Sequence, residues 1–331
     1  MRDVAALAGV SLKTVSRVVN GEPTVDAGLA ARVRRAAVQL NYRHNMTASN
    51  LRRGDRRSFM IGLMLEDVSN PYSASIYRAV EDVARERGVG VLAGSLDEDP
   101  DRERELAATL VARRVDGLIV VPAGRDHIYL RDEQALGMAL VFVDRPAVLL
   151  PADSVTADNT DGATAAVRHL ISHGHRRIAF LGDLTSITTA RDRYAGYRQT
   201  LGLAGLTEDP ALVRHDLHTA EAAEAAVISL LTQPEPPSAI FSSQNLITLG
   251  TVRALRALGA QHRVALVGFD DLPLADLLDP PVTVVAQDAL AIGRLAARIL
   301  FRRIDGDTSE VQAHIVPTRL VQRGSGEIPA P

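Results

Sequence analysis

From Phe59 to Val267 short apolar runs alternate with helix-length amphipathic segments, and that rhythm restricts the fold more than anything else in the chain. Residues 60–65, 89–93, 117–121, 139–143, 178–181, 239–241 and 264–267 are too short for helices of their own and read as strands buried on both faces. Between most of them, residues 72–87, 101–114, 161–173, 188–203, 219–231 and 245–258 have helical spacing. Strand alternating with helix over this length predicts an α/β body with doubly wound parallel sheets. One such sheet rarely grows to this number of strands, so two similar subdomains with a cleft between them are expected. No internal repeat is visible, and the Gly- and Pro-rich tail after Gln322 is the one stretch of reduced complexity.

The first 44 residues follow a different period. Val4, Ala5, Ala8, Val15, Val18 and Val19 place apolar groups on one face of each of two short helices. Gly9 stands where the first must stop and turn, in a left-handed conformation that costs Gly nothing. Ser11 caps the second helix, leaving Leu12, Lys13, Thr14, Ser16, Arg17 and Asn20 outward. A third helix runs from Asp26 to about Leu40, with Leu29, Val33, Ala36, Ala37 and Leu40 inward and Arg32, Arg34 and Arg35 outward; Asn41 suits its left-handed end. A plain helical hairpin shares this pattern. The outward cationic, hydroxyl and amide groups of the second helix favour a helix-turn-helix, since they suit phosphate oxygens and base edges in a major groove.

Charge points the same way. Residues 1–57 hold eleven Lys and Arg against four carboxylates, a balance of +7; the chain carries −3, so the remainder carries −10. A basic module on an acidic body is a nucleic-acid footprint. With 331 residues, 46% of them hydrophobic, the chain can bury a substantial core. No apolar run approaches the roughly 20 residues that span a bilayer, and no signal peptide is visible, so a cytoplasmic protein without membrane contact is expected. The absence of Cys excludes disulfides and thiolate chemistry.

Enzymatic readings fail on context. Gly88-x-Gly90-x-x-Ala93 resembles a dinucleotide loop, yet it follows a helix and enters a strand, the reverse of the order that presents amides to pyrophosphate. There is no Gly-Lys-Ser/Thr phosphate loop and no Gly-x-Ser-x-Gly elbow. His169, His173 and His175 have no nearby acidic or thiol partner in sequence and read as the surface end of a helix; no metal and no cofactor is expected.

A set of motifs then runs through the chain in order: Asp3-Val-Ala-x-x-Ala-Gly-Val-Ser, Thr14-Val-Ser-Arg-Val-x-Asn, Leu51-Arg, Ile61-Gly-Leu, Ser69-Asn-Pro-Tyr72, Asp116-Gly-Leu-Ile, Gly174-His-Arg-Arg-Ile-Ala-Phe180, Ala190-Arg-x-Arg-x-x-Gly-Tyr197, Val267-Gly-Phe-Asp-Asp271 and Pro280-Pro-x-Thr283. Together they resemble the lactose-repressor family of transcription regulators. The resemblance implies a helix-turn-helix domain at 1–44, a hinge helix and linker at 45–57, and a periplasmic-binding-protein-like effector-binding and dimerisation body at 58–331. In that body, 58–157 with 287–315 would form one subdomain and 158–286 with 316–331 the other. It implies base reading by Leu12, Lys13 and Arg17 and phosphate contact by Thr14, Ser16 and Asn20. Asn45 would also touch DNA, and Leu51 would wedge into the minor groove. Tyr72, Arg193, Gln244 and Asp270, with Asp144 less uniformly, would hold the effector. The partners implied are a palindromic double-stranded operator, a carbohydrate or sugar phosphate effector, and a second copy of the chain in a homodimer, or a pair of dimers. A nucleobase or nucleoside corepressor is the alternative effector, and a sugar-binding protein without DNA binding the alternative class.

Hinge physics agrees: about eight residues is shorter than the ~12–15 at which isolated helices become marginal, so the hinge folds only against a partner. Three departures from the family pattern bear on the site. Gln244-Asn245 stands where most members carry Asn-Asp, removing a negative charge beside the ligand. Leu217 replaces a frequent aromatic. Helix one has almost no room for an N-cap, so either a start upstream of Met1 or fraying of that helix is expected.

Overall fold

The computed structural model describes residues 1–19, 25–42 and 57–331. Two compact units emerge, 1–58 and 59–331. Asn20, Asn45, Leu51 and most of the anticipated hinge lie outside the described residues.

In the first unit, α1 (Arg2–Ala8), α2 (Leu12–Val19) and α3 (Ala27–Gln39) close on a core of Val4, Ala5, Ala8, Val15, Val18, Val33 and Ala36. Gly9 turns the chain at φ 63°. Ser11 Oγ accepts from Thr14 N at 3.1 Å, and Asp26 accepts from Gly28 N and Leu29 N, so α2 and α3 are both capped. Met1 offers α1 no side-chain cap. Arg32 reaches back, its Nη2 donating to the Ala8 carbonyl at 2.6 Å, which ties the end of α1 to α3. Leu40, expected inward, is 43% exposed: it ends α3 at ψ 7°, where the helical period no longer sets its direction. Asn41 does take the left-handed conformation, at φ 45°.

The second unit is a pair of six-stranded sheets. The first lobe orders β11-β5-β4-β3-β1-β2, all parallel: β1 (Met60–Leu65), β2 (Gly90–Ser95), β3 (Gly117–Val120), β4 (Ala139–Val143), β5 (Asp153–Ala157) and β11 (Ala313–Val316). The second orders β12-β10-β9-β8-β6-β7, from β6 (Ile178–Leu181), β7 (Val213–Arg214), β8 (Ala239–Ser242), β9 (Ala265–Phe269), β10 (Thr283–Ala286) and β12 (Arg319–Val321). Its edge strand β12 runs antiparallel to β10, the one break from the expected parallel order among the described strands. The two orders match position for position. The chain passes between lobes after β5, after β10 and after β11.

Helices cover both faces of each sheet. α4 (Pro71–Glu86) and α11 (Ala289–Ile304) pack on one face of the first lobe, where Ile76, Val80, Ile292, Ala296 and Leu300 meet the strands; α5 (Pro100–Ala112) lies on the other, and the short α6 (Arg131–Ala135) precedes β4. In the second lobe α7 (Asn159–Ser172) pairs with α8 (Thr188–Leu203) on one face, and α9 (Ala220–Leu231) with α10 (Asn245–Ala257) on the other.

Strands β5, β7 and β10 to β12 and helix α11 were not expected from the sequence. β5 contains Asp153, a poor strand residue, which is buried because Arg303 of α11 holds it bidentately at 2.7 and 3.1 Å. The tail after Gln322 is likewise ordered into the second lobe: Ser325 Oγ donates to Leu266 O at 2.6 Å and accepts from Thr283 N at 2.9 Å. That tail overturns the surface reading of the histidines. It folds over the end of α7, where His169 Nε2 lies 2.8 Å from Glu327 Oε1, and the fully buried His175 bonds Ser238 Oγ and Ile328 O at 2.9 and 2.8 Å. Burial lowers the His175 pKa.

Candidate functional site

In open α/β sheets ligands bind beyond the carboxyl ends of strands, and here both sheets present polar residues there. Glu66 follows β1, Asp144 and Arg145 follow β4, and Asp183 closely follows β6; Gln244, Asp270 and Gln287 occupy the same position after β8, β9 and β10. With Asn70, Tyr72, Glu98, Thr189, Arg193 and Asn245 they surround one cleft between the lobes, which holds about 500 Å³ of open space including its mouth. The two aspartates that end β4 and β9 are held alike. Asp144 has φ 67° and Asp270 φ 69°, and each donates its N–H to the neighbouring strand, at Val155 O and Val285 O. Left-handed backbone at a non-glycine residue is strained and concentrates at functional sites.

Polar contacts join the lobes. The Tyr72 hydroxyl lies 3.2 Å from both Asp144 Oδ1 and Gln287 Oε1, and Gln287 Nε2 donates to Asp270 Oδ1 at 2.6 Å. Asn245 Nδ2 donates to Asn70 Oδ1 at 2.8 Å, with the reciprocal contact at 3.4 Å. The Asn70 carbonyl oxygen also caps α4. Gln244, named from sequence as a ligand contact, does line the cleft, but its carbonyl oxygen caps α10 through Leu246 N and Ile247 N, leaving the amide nitrogen for other partners.

Arg193 is fixed on α8. Its Nε donates to Asn159 Oδ1 at 2.8 Å and Nη1 to Ser243 O at 2.7 Å, the guanidinium sits 3.8 Å over the Phe269 ring, and Asp270 Oδ2 is 3.7 Å away. The helix reaches this depth because Gly196 lies against α7, where a Cβ would run into the Thr160 carbonyl. Burial raises the Asp270 pKa against the pull of Arg193, and burial with the Asp144 charge keeps Tyr72 a neutral phenol.

The far end of the cleft is acidic. Arg145 is taken up by Glu98, at 2.6 and 2.7 Å, and by Pro122 O. His218 Nδ1 bonds Asp183 Oδ1 at 2.7 Å, which raises its pKa, while its Nε2 stands 3.9 Å from Glu66 Oε1 across the lobes. Burial and the Glu98 charge push Glu66 up to about 7. Leu217, where an aromatic was the alternative, packs in the core of the second lobe and does not line the cavity.

Of the residues expected in the cleft, all five lie on it: Tyr72, Asp144, Arg193, Gln244 and Asp270. Glu66, Asn70, Glu98, Asp183, Thr189 and Gln287 were not singled out, although Glu66 and Asp183 follow strand ends that the apolar runs mark. In the first unit Leu12, Lys13 and Arg17 are exposed on α2, while Thr14 and Ser16 are half-buried; the Thr14 hydroxyl pairs with Ser11 Oγ at 2.9 Å. Among the described residues, no group of His, Asp or Glu side chains is arranged to hold a metal, and no helix is long and apolar enough to cross a membrane.

Residues 1–45 match the bacterial regulatory proteins of the lacI family, and residues 167–326 a periplasmic binding protein-like domain. The ribose operon repressor of Halalkalibacterium halodurans is 32% identical over 98% of this chain and 96% of its own length. The chain belongs to the lacI family. Solved lacI-family structures share its architecture from end to end. A lac repressor dimer bound to operator and the anti-inducer ONPF superposes with a TM-score of 0.85 at 26% identity, covering 98% of both chains. A complex of the transcriptional regulator CelR with cellobiose gives 0.73 at 31% identity, also over 98% of each. This lacI-family regulator therefore joins a DNA-binding helix-turn-helix unit to a two-lobed body of the periplasmic-binding type.

Proposed function

We propose that the chain is a transcriptional repressor that binds a near-palindromic operator as a two-fold dimer and is controlled by a carbohydrate effector in the cleft. The observation that carries this is the convergence of Tyr72, Asp144, Arg193, Asn245, Asp270 and Gln287, from both lobes, on one cavity. Carboxylates and carboxamides accept from and donate to vicinal hydroxyls, and a fixed guanidinium orients them. A ligand that touches both lobes favours the closed arrangement, and coupling of ~1–3 kcal/mol between two sites switches affinity by about five- to 150-fold. The related CelR was solved with cellobiose and the lac repressor with its operator, which supports both halves of the reading. Lys13 and Arg17 are assigned to the major groove and Leu51 to the minor groove at the operator centre.

Fluorescence anisotropy on a labelled operator tests the proposal. Arg17→Ala is expected to weaken binding by about 1–3 kcal/mol and relax base preference at one position per half-site. Leu51→Ala weakens operator binding and leaves ligand affinity of the free protein intact. Asp270→Ala keeps operator affinity in the absence of sugar and loses the response to it. Equal affinity for a half-site, or an affinity independent of salt, overturns the DNA-binding reading.

A further inference from the structure

Five carboxylates line the cleft, those of Glu66, Glu98, Asp144, Asp183 and Asp270, against the two guanidiniums of Arg145 and Arg193. Both guanidiniums are already engaged: Arg145 is chelated by Glu98, and Arg193 is divided among Asn159, Ser243 and Asp270. Two of the helix N-termini on the cavity, the other common anchor for anions, are occupied as well. α4 and α10 both open onto the cavity, and their first free amides are taken by Asn70 and Gln244. Glu66 is the reverse case. Among the described residues its carboxylate accepts no hydrogen bond, and the nearest cation is His218 at 3.9 Å. It is an acceptor left open toward the cavity it lines.

Resting on the carbohydrate reading above, we infer that the effector is a polyhydroxylated molecule without an anionic group, a neutral or amino sugar, and that Glu66 is the residue that most directly excludes phosphorylated and carboxylated sugars. Hydroxyl or ammonium donors satisfy Glu66, Asp144 and Asp270. A phosphate or carboxylate set among them meets like charge, from Glu66 in full only above its pKa of about 7, while both guanidiniums are already paired with the cleft's own carboxylates, an arrangement that costs several powers of ten in affinity elsewhere. Tyr72 is the one aromatic side chain among the described lining residues, and its hydroxyl is tied to Asp144 and Gln287, so a nucleobase finds no pair of rings to stack between. The start of α8 beside Thr189 has no side-chain cap and is where an anion would have to settle.

Isothermal titration of the full-length protein decides the matter, with neutral mono- and disaccharides (D-ribose, D-glucose, cellobiose), D-glucosamine, adenosine, and the phosphate and uronic acid of each sugar that binds. At least one neutral or amino sugar is expected to bind, with its phosphate and uronate weaker by at least about a hundred-fold. In Glu66→Gln that gap is expected to narrow by about tenfold for the uronate, while the neutral sugar loses less. A phosphorylated or carboxylated sugar that binds as well as its neutral parent overturns the inference and leaves the carbohydrate reading standing. Binding of adenosine alone, or of no sugar at all, overturns the carbohydrate reading itself. An unchanged gap in Glu66→Gln removes the role given to that residue.

Discussion

Glu66 shows what a single side chain gains from being placed at a strand end. Its carboxyl is pushed from the ordinary 4.5 to about 7 by burial and by Glu98, with His218 and Arg145 pulling the other way and Asp183 adding to the rise. An acid whose folded pKa lies above its unfolded value favours the folded state below the unfolded pKa, and that contribution is lost as pH rises through the folded one. Between pH 4.5 and about 7, therefore, Glu66 progressively destabilises the body, because the unfolded chain's carboxyl ionises freely while the buried one resists. Glu66→Gln is expected to raise the melting temperature at pH 8 and to leave it nearly unchanged at pH 4, measured by calorimetry; an equal shift at both would show that ionisation is not the cause. Asp270 was legible in the sequence because it closes an apolar run inside a recognisable motif, and Asp144 because it closes the run 139–143 at a position the family resemblance implies. Glu66, Glu98 and Asp183 also follow such runs, but which polar residue at a strand end faces a cleft depends on how two sheets meet, and no local pattern encodes that.

At the scale of elements, the legible ones are those with enough apolar residues to show a period. The helices expected at 188–203 and 245–258 are found at Thr188–Leu203 and Asn245–Ala257, and the strands expected at 60–65 and 139–143 are found at those bounds. β7, β11 and β12 are short or half-exposed edges, and the apolar stretch of β10 is short and broken by Thr283, so neither alternation nor a full apolar run marks them. Tertiary contacts create them. Helix contact is also where the site is most fragile: the α8–α7 approach depends on Gly196 having no side chain. Gly196→Ala forces α8 away from Thr160 and moves Arg193 with it. A loss of about 1–3 kcal/mol in urea unfolding is expected, together with effector affinity reduced more than that of a surface control on the same helix. Wild-type stability in this variant would mean that α7 yields easily and that the packing does not position Arg193.

For the whole molecule, the Asn70–Asn245 pair bridges the lobes. Asn245→Ala removes it without uncapping α4, because Asn70 Oδ1 still receives Tyr72 N. Small-angle scattering of the unliganded variant is expected to report a larger radius of gyration, with effector affinity lower by roughly tenfold at most, the worth of one or two hydrogen bonds. An unaltered radius would show that the remaining contacts hold the lobes together by themselves. The three passages of the chain between lobes bear on how the protein is made. The first lobe takes Ile292, Ala296 and Leu300 into its core, and the second takes Ser325 and packs Ile328 against its own. Neither can close its core until the ribosome has delivered those late segments, whereas the three-helix unit has its whole core within the first 36 residues. On a nascent chain the DNA-reading end is therefore finished while the effector-sensing body is still an incomplete pair of sheets with open edges, the interval in which such chains depend most on chaperones.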